Sequence, residues 1–106
     1  LRRAKVVARY AVLQGYDPEA TTIYYTQFLD DFSKEERQIG VRLGRERINA
    51  CKSMWVIDRE DGMSEGMQGD EAKANELGLL VEDKRFADIQ RQLDAYDEDR
   101  RKRSAR

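Results

Sequence analysis

The chain has 106 residues, 39% of them charged and 40% hydrophobic, with a net charge of -1. That length suits one small domain burying roughly two thirds of its unfolded surface, and the charge balance lacks the net basic excess usual in a free nucleic-acid binder. The longest apolar run, "MWVI" (54–57), falls far short of the ~20 residues a membrane-spanning helix needs.

No signal-peptide pattern opens the chain. Cys51 is the only cysteine, which excludes an internal disulfide. These features lead to the expectation of a soluble, intracellular protein in a reducing compartment, cytoplasmic or within an assembled particle, with no membrane partner. Because the first residue is Leu rather than Met, a processed product or a fragment is also expected. Charge falls in blocks: residues 1–16 carry bases and no acid, 17–32 acids and no base, and 60–83 are strongly acidic. Such blocks steer packing and partners more than they stabilise, since surface pairs contribute about 0–1 kcal/mol each.

In chain order, Val6, Val7, Tyr10 and Leu13 recur at helical spacing over about 3–14, with Gly15 where a left-handed cap belongs. "DPEA" opens a second helix, Pro18 to about Asp31, with Asp17 as cap and Pro18 at the first helical position. Tyr25, Phe28 and Phe32 line one side of it, and Ile23, Tyr24 and Leu29 widen the stripe. "SKEE" is a capping box, Ser33 with Glu36 three residues on. It predicts a corner followed by a long third helix, about 34–59. Residues 60–69, "EDGMSEGMQG", hold three glycines and no periodicity, and read as a loop or hinge. Asp70 caps a short helix closed by Gly78, and a last helix from about Asp83 carries Phe86, Ile89, Leu93 and Tyr96 at alternating spacings of three and four.

No segment alternates strictly with period two. The expected fold is therefore all-α: about five helices, with the long central helix packed in an elongated bundle and a projecting C-terminal helix. At 1.5 Å per residue the third helix would run ~39 Å, longer than a compact domain of this size is wide. The division expected is a three-helix unit over 1–59, a hinge over 60–69, and a C-terminal helical segment with a charged tail over 70–106.

Gly40 and Gly44 each cost about 1 kcal/mol against alanine inside a helix. With Val41, Ile48 and Cys51 on the same seam, they predict a helix-packing site where another helix approaches the backbone closely. Met54, Trp55 and Ile57, with Phe86, Ile89, Leu93 and Tyr96, are the expected protein interface, because buried aromatics anchor such contacts.

Histidine is absent, which removes Ser/His and Cys/His nucleophilic systems and histidine-liganded metal sites. The acidic pairs Asp30–Asp31, Glu35–Glu36 and Glu60–Asp61 are consecutive, so neither member shares a helix face with the other. Asp58, Glu60 and Asp61 miss the calcium-loop positions. No catalytic residue, cofactor or metal is expected. The leading reading is a non-enzymatic structural or adaptor subunit of a larger assembly, in contact with other protein subunits in a homo- or hetero-assembly. The alternative is a nucleic-acid-associated protein using the polar stripe Gln38, Arg42, Arg45, Asn49 and Lys52.

Overall fold

The computed structural model describes residues 1–104. Helix α1 spans Arg2–Leu13, α2 Thr21–Thr26, α3 Lys34–Arg47, α4 Glu65–Glu76 and α5 Phe86–Ser104; strand β1 is Ser53–Ile57 and β2 is Leu80–Lys84. The two strands pair in parallel, Ser53 beside Leu80 through Ile57 beside Lys84. This corrects the all-α expectation: five helices are present among the described residues, but the fold is mixed α/β, built on a β1–α4–β2 unit.

The long central helix does not form. Regular α-helix stops at Arg47, a tight 3-10 turn covers Ile48–Ala50, and Cys51 is extended at φ -91, ψ 157. The "MWVI" run is strand β1. A parallel strand covered on both faces presents a near-continuous apolar run instead of an alternating one, and a run this short fits a buried helix equally well by periodicity. Leu80 and Val81 of "LLV" open strand β2, whose last three residues are charged. Residues 65–69, expected as hinge, are the first turns of α4, where the Ser64 hydroxyl accepts the Met67 N–H at 3.2 Å. Since β1 and β2 lie on either side of this segment and share a ladder, the expected units on either side of the hinge meet in one sheet.

Local signals account for several ends. Gly15 (φ +91) and Gly78 (φ +75) take the left-handed conformation that closes α1 and α4. In each, the next N–H reaches back to the helix, Tyr16 to the Ala11 carbonyl and Leu79 to the Ala74 carbonyl, both at 2.9 Å. Ser33 caps α3 by accepting the Glu36 N–H at 3.3 Å, while Glu36 turns back to the Asp30 N–H at 3.1 Å. Helix α2 is shorter than expected because 17–20 stay irregular and the chain leaves the helix after Thr26. There the Asp30 side chain accepts the Phe32 N–H at 2.9 Å and holds a turn.

Side chains alternate along β1. Trp55 and Ile57 face α1 and α5, packing on the cluster of Tyr10, Ile89 and Leu93 with Val6 and Val7. Buried Val56 faces the other way, the side on which α4 packs with its fully buried Ala74. Helices thus cover both faces of the strand pair. Beyond Glu98 every described α5 residue is exposed, and this end is held by ion pairs one turn apart, such as Arg103 to Asp99 at 3.1 Å. Among the described residues no helix is long and apolar enough to cross a membrane.

The two glycines of α3 sit under α2. A Cβ on Gly44 would lie 3.0 Å from Thr21 Oγ1 and 3.3 Å from its Cβ, and one on Gly40 would lie 3.3 Å from a Leu29 methyl. At Gly66, by contrast, an added Cβ meets only Ser64 Oγ at 3.9 Å. Gly44→Leu is therefore expected to destabilise by about 1–3 kcal/mol through overpacking, and Gly66→Ala to stabilise by about 0.5 kcal/mol. Urea titration of the two variants, followed by circular dichroism, reads both signs in one experiment.

Candidate protein-binding surfaces

Open parallel sheets place ligands beyond the carboxyl ends of their strands. Asp58 follows β1 with φ 53 and ψ 50, a left-handed conformation uncommon outside glycine, and is 8% exposed. One carboxylate oxygen accepts the Phe86 N–H at 3.0 Å, capping the start of α5. The other accepts Arg3 at 2.5 Å, and the Arg3 guanidinium lies 4.4 Å from the Phe86 ring centre. Arg59 bridges Asp83, at 2.9 Å, and Glu71, while Arg85 pairs with Glu60. These groups bind one another, so the end of the sheet is a junction tying α1, α4 and α5 to the strands. Among the described residues no group of three or more His, Cys, Asp or Glu side chains could hold a metal.

The residues singled out as an interface are largely turned inward. Ile89 and Leu93 are each 2% exposed and pack against Trp55 and Ile57. Trp55 also touches Tyr10, Tyr16 and the Lys84 ammonium, at 5.8, 5.2 and 4.9 Å. Met54 and Phe86 are half-buried. Tyr96, 38% exposed, lies beneath Arg9 and Arg100. The apolar seam of the last helix is covered by α1 and β1 of the same chain. Ile48 is buried, Cys51 half-buried and Val41 exposed. Burial pushes the Cys51 thiol above its ordinary value, with Glu19 adding to the effect, so it is protonated at neutral pH.

The polar stripe is interrupted. Arg45 is held by Asp70 at 3.1 Å and Asn49 bonds the Glu46 carbonyl at 2.9 Å, while Arg42 and Lys52 are exposed. Lys52 lies past the end of α3, so the five residues do not share one helix.

Two further surfaces are set by the tertiary structure. The first is an aromatic ridge. Tyr24, Tyr25 and Phe28 meet edge to face with centres 5.0 to 5.9 Å apart, and Arg47 holds the first two, its Nε donating to the Tyr25 hydroxyl at 3.1 Å and its guanidinium lying 5.2 Å from the Tyr24 ring centre. Yet Phe28 is 59% exposed and Phe32 99%. A shallow cleft of about 260 Å³ runs beside the ridge, lined by Pro18, Glu19, Thr21, Ile23, Tyr24 and Arg47 among others. In the sequence Tyr25, Phe28 and Phe32, widened by Tyr24, read as one side of a single helix; because α2 ends at Thr26, the last two rings are carried outside the helix.

The second surface is the outer edge of β1. The Asp58 N–H donates to the Lys84 carbonyl at 2.8 Å, extending the ladder. Backbone groups alternate sides along a strand, so Met54 and Val56 bond β2 while Ser53, Trp55 and Ile57 point their N–H and C=O groups away from it. Among the described residues nothing outside the strand pair bonds to them.

A parallel strand pair joined by a helix, with helices on both faces, places the protein in the α/β class. The chain belongs to the family described as a domain of unknown function (DUF7768), which matches residues 1–84. That span ends with the last residue of β2 and includes both surfaces, while α5 lies outside it. No curated protein and no solved structure matches the chain significantly.

Three carboxyls sit below their usual range: Asp58, chiefly through the Phe86 N–H with Arg3 adding; Glu71, through Arg59; and Asp97, through Arg9. A pKa lower in the folded than in the unfolded chain stabilises above the unfolded value, about 4, and that stabilisation is lost as pH falls through the folded value. Tm is therefore expected to drop steeply below about pH 4. Asp58→Asn should narrow the gap between Tm at neutral pH and at about pH 3, as measured by thermal melts across the range.

Proposed function

We propose that this chain is a non-enzymatic structural or adaptor subunit of a larger macromolecular assembly, acting through protein–protein contacts. The observation that carries this reading is the aromatic ridge. Aromatic side chains are enriched where binding energy concentrates, and Phe28 stands against Tyr24 and Tyr25, two rings that Arg47 holds in place, so this part of the ridge loses little conformational freedom when a partner covers it. Contiguous exposed apolar surface on a small domain marks a contact site, whereas single exposed apolar residues need no explanation.

The contact surface is thus the α2–α3 face with Phe28 and Phe32, in place of the Trp55 and Leu93 seam. The state of the carboxylates supports a binding role over an acid/base one, because each shifted one is held in its charged form. An intracellular, reducing compartment belongs to the same proposal, resting on the lone thiol of Cys51. The nucleic-acid reading is the weaker alternative: with Arg45 committed to Asp70, Arg42 and Lys52 are the bases of the stripe left as ready phosphate contacts.

The test is a pair of variants. Phe28→Ser with Phe32→Ser removes exposed rings and should leave the thermal melt within a few degrees of the parent. Self-association by light scattering, or retention of binding partners through purification, should fall at least about tenfold. Unchanged assembly in this variant, with loss in Arg42→Glu and Lys52→Glu together with salt-sensitive heparin binding, would transfer the assignment to nucleic acid.

A further inference from the structure

The two edges of the strand pair are built differently. β2, "LVEDK", carries three charged side chains in five residues, a common way of blocking further pairing. β1, "SMWVI", carries none, and it has no proline. No bulge interrupts its register with β2. Its outward peptide groups at Ser53, Trp55 and Ile57 have no partner among the described residues, although helices cover both faces of the sheet. An edge free of charge and proline is normally a site of pairing.

The direction of an added strand follows from the helices. α4 and α5 start at the carboxyl ends of β1 and β2, and α1 starts at the same end, where Arg3 in its first turn reaches Asp58 and lies over Phe86. Three helices leave this end, and two of them follow a strand. Sheets with helices on both faces are characteristically parallel, and their strands read as continuous apolar runs.

We infer that the outer edge of β1 is a strand-addition site, and that its occupant is an extended, uncharged apolar segment of a second polypeptide, running parallel to β1. Backbone hydrogen bonds to Ser53, Trp55 and Ile57 supply the affinity. Apolar side chains on the segment supply the selectivity, since β1 offers no charged side chain with which a charge on the segment could pair. This site is separate from the aromatic ridge and fails or stands independently of it.

Amide hydrogen exchange by NMR on the full chain tests the inference. Alone, the Trp55 and Ile57 amides should exchange far faster than those of Met54, Val56 and Asp58, which bond β2. The probe is a synthetic peptide with a Val/Ile run matched to the five residues of β1 and lysines at both ends; the control carries Asp at alternate positions of the run. The apolar peptide should slow Trp55 and Ile57 exchange by about tenfold or more, with the control inert. A spin label at its carboxyl end should broaden Asp58 and Phe86 resonances rather than Ser53. The Phe28→Ser, Phe32→Ser variant should respond like the parent. The inference is overturned by any of three results: Trp55 and Ile57 amides already as protected as their neighbours, whether in a monomer whose edge is closed or in a dimer where a second copy fills it; no response to the apolar peptide; or broadening at Ser53, which means antiparallel pairing.

Discussion

The parallel ladder between β1 and β2 is the interaction from which the other contacts are organised. It joins segments that begin 27 positions apart, from Ser53 to Leu80, and creates two apolar faces where neither strand alone would have one. Trp55 and Ile57 draw α1 and α5 to one face, and Val56 meets the side covered by α4. Without the pairing, the seams of α1 and α5 would have no common floor.

Arginines join this core to its surroundings. Arg3, Arg59 and Arg45 each connect an element to one distant in sequence, through Asp58, through Glu71 and Asp83, and through Asp70. Exposed pairs of this kind stabilise little, but they set how the helices sit on the sheet. Gly69 shows the fit: a side chain there would run into the Arg45 guanidinium. Asp58 is the most constrained of these groups, since it joins a left-handed backbone to two simultaneous hydrogen bonds. Its role as a junction explains why the end of the sheet where ligands ordinarily bind is filled by the protein's own side chains.

The apolar seam of α5 is buried within the chain, while Phe28 and Phe32 are exposed. Phe86, Ile89 and Leu93 form a narrow seam of the kind two chains share, and here the seam is matched by α1 of the same chain. Phe28 and Phe32 continue a helical stripe on paper but leave the helix after Thr26, where the Asp30 turn and the Ser33 cap take over. Both outcomes follow from lengths. A 12-residue α1 is long enough to cover α5's apolar residues, while a six-residue α2 is too short to bring all its aromatics to one side.

By itself the sequence determined what is decided within a few residues: the left-handed closures at Gly15 and Gly78, the Ser33 cap and corner before α3, and five helices. Tertiary structure alone decided that "MWVI" lies in a strand and that the end of "LLV" opens another, because a short apolar run has the same pattern in a buried helix and a buried strand, and only a partner far along the chain, supplying the backbone hydrogen bonds, selects between them. It decided likewise which apolar residues face solvent. That choice depends on which seams find a matching surface once the sheet has formed, and no local pattern records it.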